Sequence, residues 1–298
     1  MLSEPILILG SGALGTLFAA RLSAAGLDVT VLASWPEGLQ ALQRHGAELE
    51  GLGRFPVRAT ADPAACRGAR LALALVKSWQ TERAASQLAA CLAEDGLVLT
   101  LQNGLGNAET LAGTLGPGRV ARGVTTLGAT LLGPGLVRPG GEGAVSLERR
   151  ADLAPLEGLL RKAGFEVEVA GDVDSLVWGK LVVNAAINPL TAILRVKNGE
   201  LLERPTARRL MGELAREAGR VAFAQGVKLP FDSPLAAAED VARRTAGNSS
   251  SMLQDVLRGA PTEVDAINGA IVALGEGHRV PTPVNKVLWS LVKANPTW

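Results

Sequence analysis

Six residues near the start of the chain, Gly10-Ser11-Gly12-Ala13-Leu14-Gly15, restrict its fold more than any other feature. They follow a short apolar run, Pro5 to Leu9, and precede a segment from Ala13 to Ala25 whose apolar residues recur at helical spacing and which closes at Gly26. A second, β-branched run from Asp28 to Ala33 comes next, so the order is strand, glycine turn, helix, strand. In that context each glycine has a task. The first permits the tight turn, the second lets backbone N–H groups approach a pyrophosphate, and the third lets helix and strand pack closely. A dinucleotide is the expected ligand, and the alternative is a glycine turn that binds nothing.

The pattern continues with Leu71 to Val76 and Leu97 to Leu101, each followed by polar residues and a helix-compatible segment, which predicts a doubly wound α/β sheet of Rossmann type. From Thr130 to Leu147 glycine and proline dominate, as suits hairpins or loops at the edge of a first domain. One more helix and strand end near Ala170. Beyond Gly171 strand-like runs nearly vanish, and helices are predicted over Asp172 to Asn188, Pro205 to Gln225, Ser233 to Ala246 and Pro261 to Glu276. The expectation is a dinucleotide-binding domain over 1–171 and an all-helical substrate and catalytic domain over 172–298.

Charge narrows the partners. With 30 basic and 29 acidic residues, the chain offers no broad attraction to nucleic acid or to a membrane surface, so small molecules or a second copy of the chain, as in a homodimer, are expected. The apolar stretches are broken short of the roughly 20 residues a bilayer requires, and no basic segment precedes an apolar run at the N-terminus. The two cysteines, Cys66 and Cys91, have no metal-type or redox-type neighbours. They are expected to be buried thiols in a reducing, cytoplasmic setting, and no metal site is expected. The chain has no tyrosine, which excludes a Tyr-dependent short-chain reductase. Its two histidines are His45 and His278, and the second reads as a surface residue in a loop over Gly275 to Pro281.

At the end of the second strand an NAD site would place an acid and an NADP site an arginine. Here stand Ala33-Ser34-Trp35-Pro36. Ser34 can hydrogen-bond either cofactor, and Trp35 can stack on adenine or pack on the surface. Lys77 and the trio Gln102-Asn103-Gly104 follow the next two strands, at the carboxyl ends where open α/β sheets bind ligands. In the segment from Trp178 to Pro189, spacing of four residues sets Lys180, Asn184 and Asn188 on one face of an otherwise apolar helix. Asparagine is a poor choice for a merely solvated helix face, so that stripe is expected to line a cavity. Residues Asn248 to Asp255, read alone, are a helix cap with another helix start after them.

Taken together, GSGALG at Gly10 to Gly15, Val76-Lys77-Ser78-Trp79, Gln102-Asn103-Gly104, Trp178 to Thr191, Asn198 to Leu201, Ser250 to Asp255 and Thr262-Glu263 resemble the ketopantoate reductase, or 2-dehydropantoate 2-reductase, family over nearly the whole chain. The resemblance implies a Rossmann domain and a helical domain with the active site between them. It implies NADPH-dependent reduction of a small 2-oxo acid, ketopantoate, to (R)-pantoate in pantothenate and coenzyme A biosynthesis. By the same resemblance Lys180 is the proton donor, and Asn184, Asn188, Asn198, Asn248 and Ser251 contact substrate. Gly10, Ser11, Gly12, Ala13, Leu14, Gly15, Ser34, Lys77, Asn103, Ala129 and Glu263 fall where the family contacts NADP(H). Many members carry arginine where Ser34 stands, so the preference for NADPH is expected to be weaker here.

An ammonium at Lys180 can hydrogen-bond the oxo oxygen, stabilise the charge that develops and donate the proton. Desolvation would lower its pKa and the Glu263 carboxylate would hold it up. Two other readings stay open at this point: a 3-hydroxy acid dehydrogenase of related architecture, and a dinucleotide sensor without turnover.

Overall fold

A computed structural model describes residues 5–294. The first four residues, part of the N-terminal stretch read as having no leader, lie outside the described ones. The chain divides into two compact units, one made of Met1–Gln102 and Asn107–Val173, the other of Asn103–Gly106 and Asp174–Trp298.

The first unit is built on strands β1 (Ile6–Leu9), β2 (Val29–Leu32), β3 (Ala47–Leu49), β4 (Gly53–Phe55), β5 (Arg58–Thr60), β6 (Ala69–Ala74), β7 (Leu92–Thr100), β8 (Val120–Thr125), β9 (Ala129–Gly133), β10 (Leu136–Pro139), β11 (Ala144–Glu148) and β12 (Glu166–Ala170). Eight of them form one sheet in the order β12-β11-β8-β7-β6-β1-β2-β5. From β8 to β5 all neighbours are parallel, and β11 turns the edge by pairing antiparallel with β8. Successive side chains of β1 go to opposite faces: Ile6 and Ile8 join the core that holds Leu17, Phe18 and Leu22 of the helix Ala13–Ala24. Leu7 and Leu9 join Ala84, Ala85, Leu88 and Leu111 from the helices Thr81–Cys91 and Asn107–Leu115. Burial on both faces is what makes these strands read as continuous apolar runs.

The glycine-rich stretch forms the β9–β10 hairpin, as expected for that composition. Strands β3 and β4 join it in a second sheet, ordered β4-β3-β10-β9, which the sequence did not suggest. Each of those two strands has only three residues, too few for a visible period. Cys66 and Cys91 are buried and unbridged, and burial pushes the Cys91 thiol up to about 11.

The described part of the second unit is helical. Its core gathers Trp178, Leu181, Val182 and Ala186 from the first helix with Met211, Leu214 and Val221 from Pro205–Ala224. Four expectations need correction. The first helix does not stop at Asn188 but runs Val173–Leu194, passing through Pro189. It is therefore long and apolar enough to cross a bilayer, yet most of it is buried inside the unit, so it is a core helix. The segment read as one helix from Pro261 contains a π turn, Asp265–Gly269, before the helix Ala270–His278. His278 thus closes a helix rather than sitting in a loop, although it is exposed as expected. Helices Glu200–Glu203 and Pro283–Ala294 were not anticipated.

Candidate active site

Gly10 has φ +110°, and its amide donates to Leu32 O at 3.0 Å, closing the turn onto β2. A Cβ on Gly15 would lie 1.9 Å from Gly10 O, so helix and strand approach there as closely as backbone allows. Gly12 differs, because a Cβ built on it meets nothing within 4 Å. The helix that starts there has no side-chain cap and no acid in its first turn. Its first N–H groups, on Ala13, Leu14 and Gly15, are placed for an anion, and the open flank of Gly12 gives one room to approach. These residues fit a dinucleotide pyrophosphate.

Around that turn, Ser11 is buried and Ser34 half-buried just past β2. Trp35 lies against Gly38, where a Cβ would come within 2.2 Å of Trp35 Cε3. Ala129 opens β9, on the small sheet that packs against the helix Ala13–Ala24.

Half-buried Lys77 follows β6 as predicted. Gln102 serves as a strut: Nε2 donates to Val76 O at 3.1 Å and to Thr81 Oγ1 at 2.9 Å, while Oε1 accepts from Thr100 Oγ1 at 2.9 Å. Its neighbour Asn103 belongs to the other unit. There Asn103 Nδ2 donates to Glu263 Oε2 at 3.1 Å, and Leu105 N bonds Ala266 O at 2.9 Å. Gly104, with φ +82°, leaves no space for a Cβ against Ala266. Asn103 and Glu263, both expected at the cofactor from the resemblance, are thus bonded to each other.

The face carrying Lys180, Asn184 and Asn188 forms as the four-residue spacing predicts. Lys180 keeps some solvent contact, but its ammonium is enclosed by protein. Burial pushes its pKa down to about 8, and the charge of the Glu263 carboxylate works in the opposite direction. Asn188 is 5% exposed, and its Nδ2 has no hydrogen-bond partner among the described residues. One turn on, Thr191 Oγ1 donates to Ser250 Oγ at 2.7 Å, joining this helix to the start of Ser251–Leu257. Asn198, 7% exposed, donates Nδ2 to Thr245 Oγ1 at 2.9 Å and its amide to Asn248 O at 3.0 Å. Its Oδ1 is buried without a partner among the described residues.

Thr191 ties the Asn188 end of the stripe to Ser250, the neighbour of Ser251, while at Lys180 the charge of Glu263 is felt, and Glu263 holds Asn103. Asn248 is exposed and joins through its backbone carbonyl. Thr191, Thr245 and Ser250 were not named as parts of this framework; Thr191 lies three residues beyond Asn188 on the helix, and Ser250 stands in the stretch read as a helix cap, where its Oγ accepts from Leu253 N.

A buried unpaired donor and a buried unpaired acceptor are costly, and a polar ligand would satisfy both. An Asn Nδ2 suits a carboxylate or carbonyl oxygen, and an Asn Oδ1 suits a hydroxyl.

Comparison with known proteins gives this arrangement a family. Residues 6–152 match the family described as ketopantoate reductase PanE/ApbA, and residues 172–295 match its C-terminal domain. A 2-dehydropantoate 2-reductase of Archaeoglobus fulgidus is 39% identical, covering 97% of both chains. The crystal structure of a PanE/ApbA family ketopantoate reductase from Ralstonia eutropha superposes with TM-score 0.90 at 37% identity, over 97% of both chains. A ternary structure of D-mandelate dehydrogenase with NADH and anilino(oxo)acetate gives TM-score 0.89 at 28% identity, again over 97% of each chain. With its glycine turn, its lysine and asparagine helix and both family domains present, the chain belongs to the ketopantoate reductase family and is an oxidoreductase.

Proposed function

We propose that this enzyme reduces 2-dehydropantoate to (R)-pantoate with NADPH, in the cytoplasm and in pantothenate and coenzyme A biosynthesis. Residues 1–171 form the dinucleotide-binding domain in this reading and 172–298 the substrate and catalytic domain. The observation that carries it is the stripe itself: an ammonium with a pKa of about 8 on the same helix face as an unpaired amide donor, with an unpaired amide acceptor beyond them. Ketopantoate has an oxo oxygen for Lys180, a carboxylate for Asn188 and a hydroxyl for Asn198. Asn184, Asn248 and Ser251 complete the substrate contacts. Gly10 to Gly15, Ser34, Lys77, Asn103, Ala129 and Glu263 serve the cofactor.

The dinucleotide, when bound, supplies the hydride to the oxo carbon. Lys180 hydrogen-bonds the oxo oxygen, stabilises its growing negative charge and transfers a proton from Nζ, leaving a neutral amine that water reprotonates. Asn188 and Asn198 hold the two ends of the acid, which fixes the face presented.

The deciding assay is NADPH oxidation with ketopantoate, then with pyruvate and 3-oxo acids. Lys180→Ala should lower kcat by about 10²–10⁴-fold with little change in NADPH affinity measured by fluorescence. Wild-type kcat in that variant would sink the mechanism.

A second reading, an aryl 2-oxo acid reduced with NADH, is favoured by the likeness to D-mandelate dehydrogenase. Ser34 bears on the cofactor half of that choice. A charge-assisted hydrogen bond contributes about 1.5–3 kcal/mol, so Ser34→Arg should raise NADPH over NADH selectivity by about one to two decades in kcat/KM. An unchanged ratio would mean that the 2′-phosphate is not read at that position.

A further inference from the structure

The helix Val173–Leu194 has a proline in its interior, and Pro189 lacks the N–H that would otherwise bond the carbonyl of Ala185. Asn268 supplies the missing donor. Its Nδ2 bonds Ala185 O at 3.1 Å and Asn285 Oδ1 at 3.0 Å. Asn285 is itself fixed, because Nδ2 donates to Leu214 O at 3.2 Å and to Glu217 Oε2 at 2.8 Å. Glu217 also accepts the amides of Val284 and Asn285, at 3.0 and 2.8 Å. All three side chains are buried, Asn268 and Asn285 completely.

The orientation of Asn268 follows from its neighbours, since turning the amide over would set Oδ1 against two acceptors. As it stands, Oδ1 is buried with no partner among the described residues. A network that uses both donor hydrogens and leaves its acceptor bare is a poor arrangement for stability alone. Its location suggests what it serves. The turn opened by the proline runs from Ala185 to Pro189, with Lys180 and Asn184 before it and Asn188 inside it.

The segment that holds Asn268 also holds Glu263, whose charge acts on Lys180. Asn268 lies inside the π turn Asp265–Gly269, which begins two residues after Glu263 and in which Gly269 N bonds Val264 O at 2.9 Å. Such a wide turn lets residues five apart address one neighbouring helix, where α spacing would serve residues three or four apart.

We propose that Asn268 is a positioning residue for the reaction: by bonding the Ala185 carbonyl it sets the helix axis across the turn opened by Pro189, and so the spacing between Lys180 and Asn184 on one side and Asn188 on the other. This rests on the reading of that stripe as the 2-oxo acid site.

The test compares Asn268→Ala, Pro189→Ala, their double variant and a packing control, Val221→Ala, which lies buried in the same core. Asn268→Ala should raise KM for the oxo acid and lower kcat, each by about tenfold, while the dinucleotide Kd stays constant. Adding Pro189→Ala restores an amide for the Ala185 carbonyl and should bring the double variant within about threefold of Pro189→Ala alone. Unchanged kinetics in Asn268→Ala, equal kinetic losses in Val221→Ala at a similar fall in Tm, or no rescue overturns the proposal.

If Asn268→Ala does not fold, the double variant against Pro189→Ala decides. A difference within about threefold supports the assignment, and a larger one, or a double variant that also fails to fold, overturns it. Hydrogen exchange at amides 186–193 gives a readout without substrate: it should speed up in Asn268→Ala and slow again in the double variant. If the wild-type enzyme turns over no 2-oxo acid, the site reading fails, and the exchange result alone decides whether Asn268 holds this turn.

Discussion

At the scale of single residues, the proton transfer proposed for Lys180 requires its charged form, yet it lies where burial favours the neutral amine. Its pKa of about 8 records that contest, with the Glu263 carboxylate on the side of the charge. Reduction should therefore hold below about pH 8 and fall as the ammonium is lost above it. Glu263→Gln keeps the shape and the acceptor for Asn103 Nδ2 but removes the charge. The alkaline limb of kcat should move to lower pH in that variant, and a limb that stays or moves up would show that Glu263 does not support the ammonium. Lys180, Asn184 and Asn188 were legible because one helical period relates them. Asn198 bonds Thr245, and Thr191 bonds Ser250, the neighbour of Ser251, contacts that no local spacing encodes.

Among the elements, the strand, glycine turn and helix at the N-terminus show why three glycines of one motif are not equivalent. Gly15→Ala would drive a methyl into Gly10 O at 1.9 Å, so the helix must leave the strand. A loss of stability of about 1–3 kcal/mol or more is expected, read as a lower Tm. Gly12→Ala meets nothing within 4 Å, and should keep its Tm while dinucleotide affinity falls at least about tenfold, because the methyl occupies the approach to the first-turn amides. If both variants lose stability alike and neither loses affinity selectively, the turn is structural and not a cradle. The same scale explains the misread helix end at Pro189. Proline is a sound stop signal when its missing bond has no substitute, and here Asn268, 79 residues later in the chain, provides one.

For the whole molecule, the proposed proton donor Lys180 links activity to stability. Its pKa is about 8 in the folded protein against 10.5 ordinarily, so between those values the unfolded chain binds more protons and stability rises with pH. The difference between wild type and Lys180→Met should change across that window by on the order of 3 kcal/mol, and below pH 8 it should be flat. Denaturant titrations at several pH values check it. A constant difference from pH 7 to 11 would mean that the lysine is not desolvated as described.

The sequence by itself determined the alternation of strand and helix in the first unit, the helical character of the second, the glycine turn and the polar face of the helix that carries Lys180. All of these are local: they follow from periods of two and 3.6 residues and from the conformational freedom of glycine at positions such as Gly10. Tertiary structure alone decided that the helix survives Pro189, that residues 265–269 widen into a π turn, and that Asn103 is held by Glu263. It also decided which amide atoms are left without partners. Those outcomes depend on donors and acceptors brought together from 17 to 160 positions apart, and side-chain hydrogen bonds over such separations leave no period in a sequence.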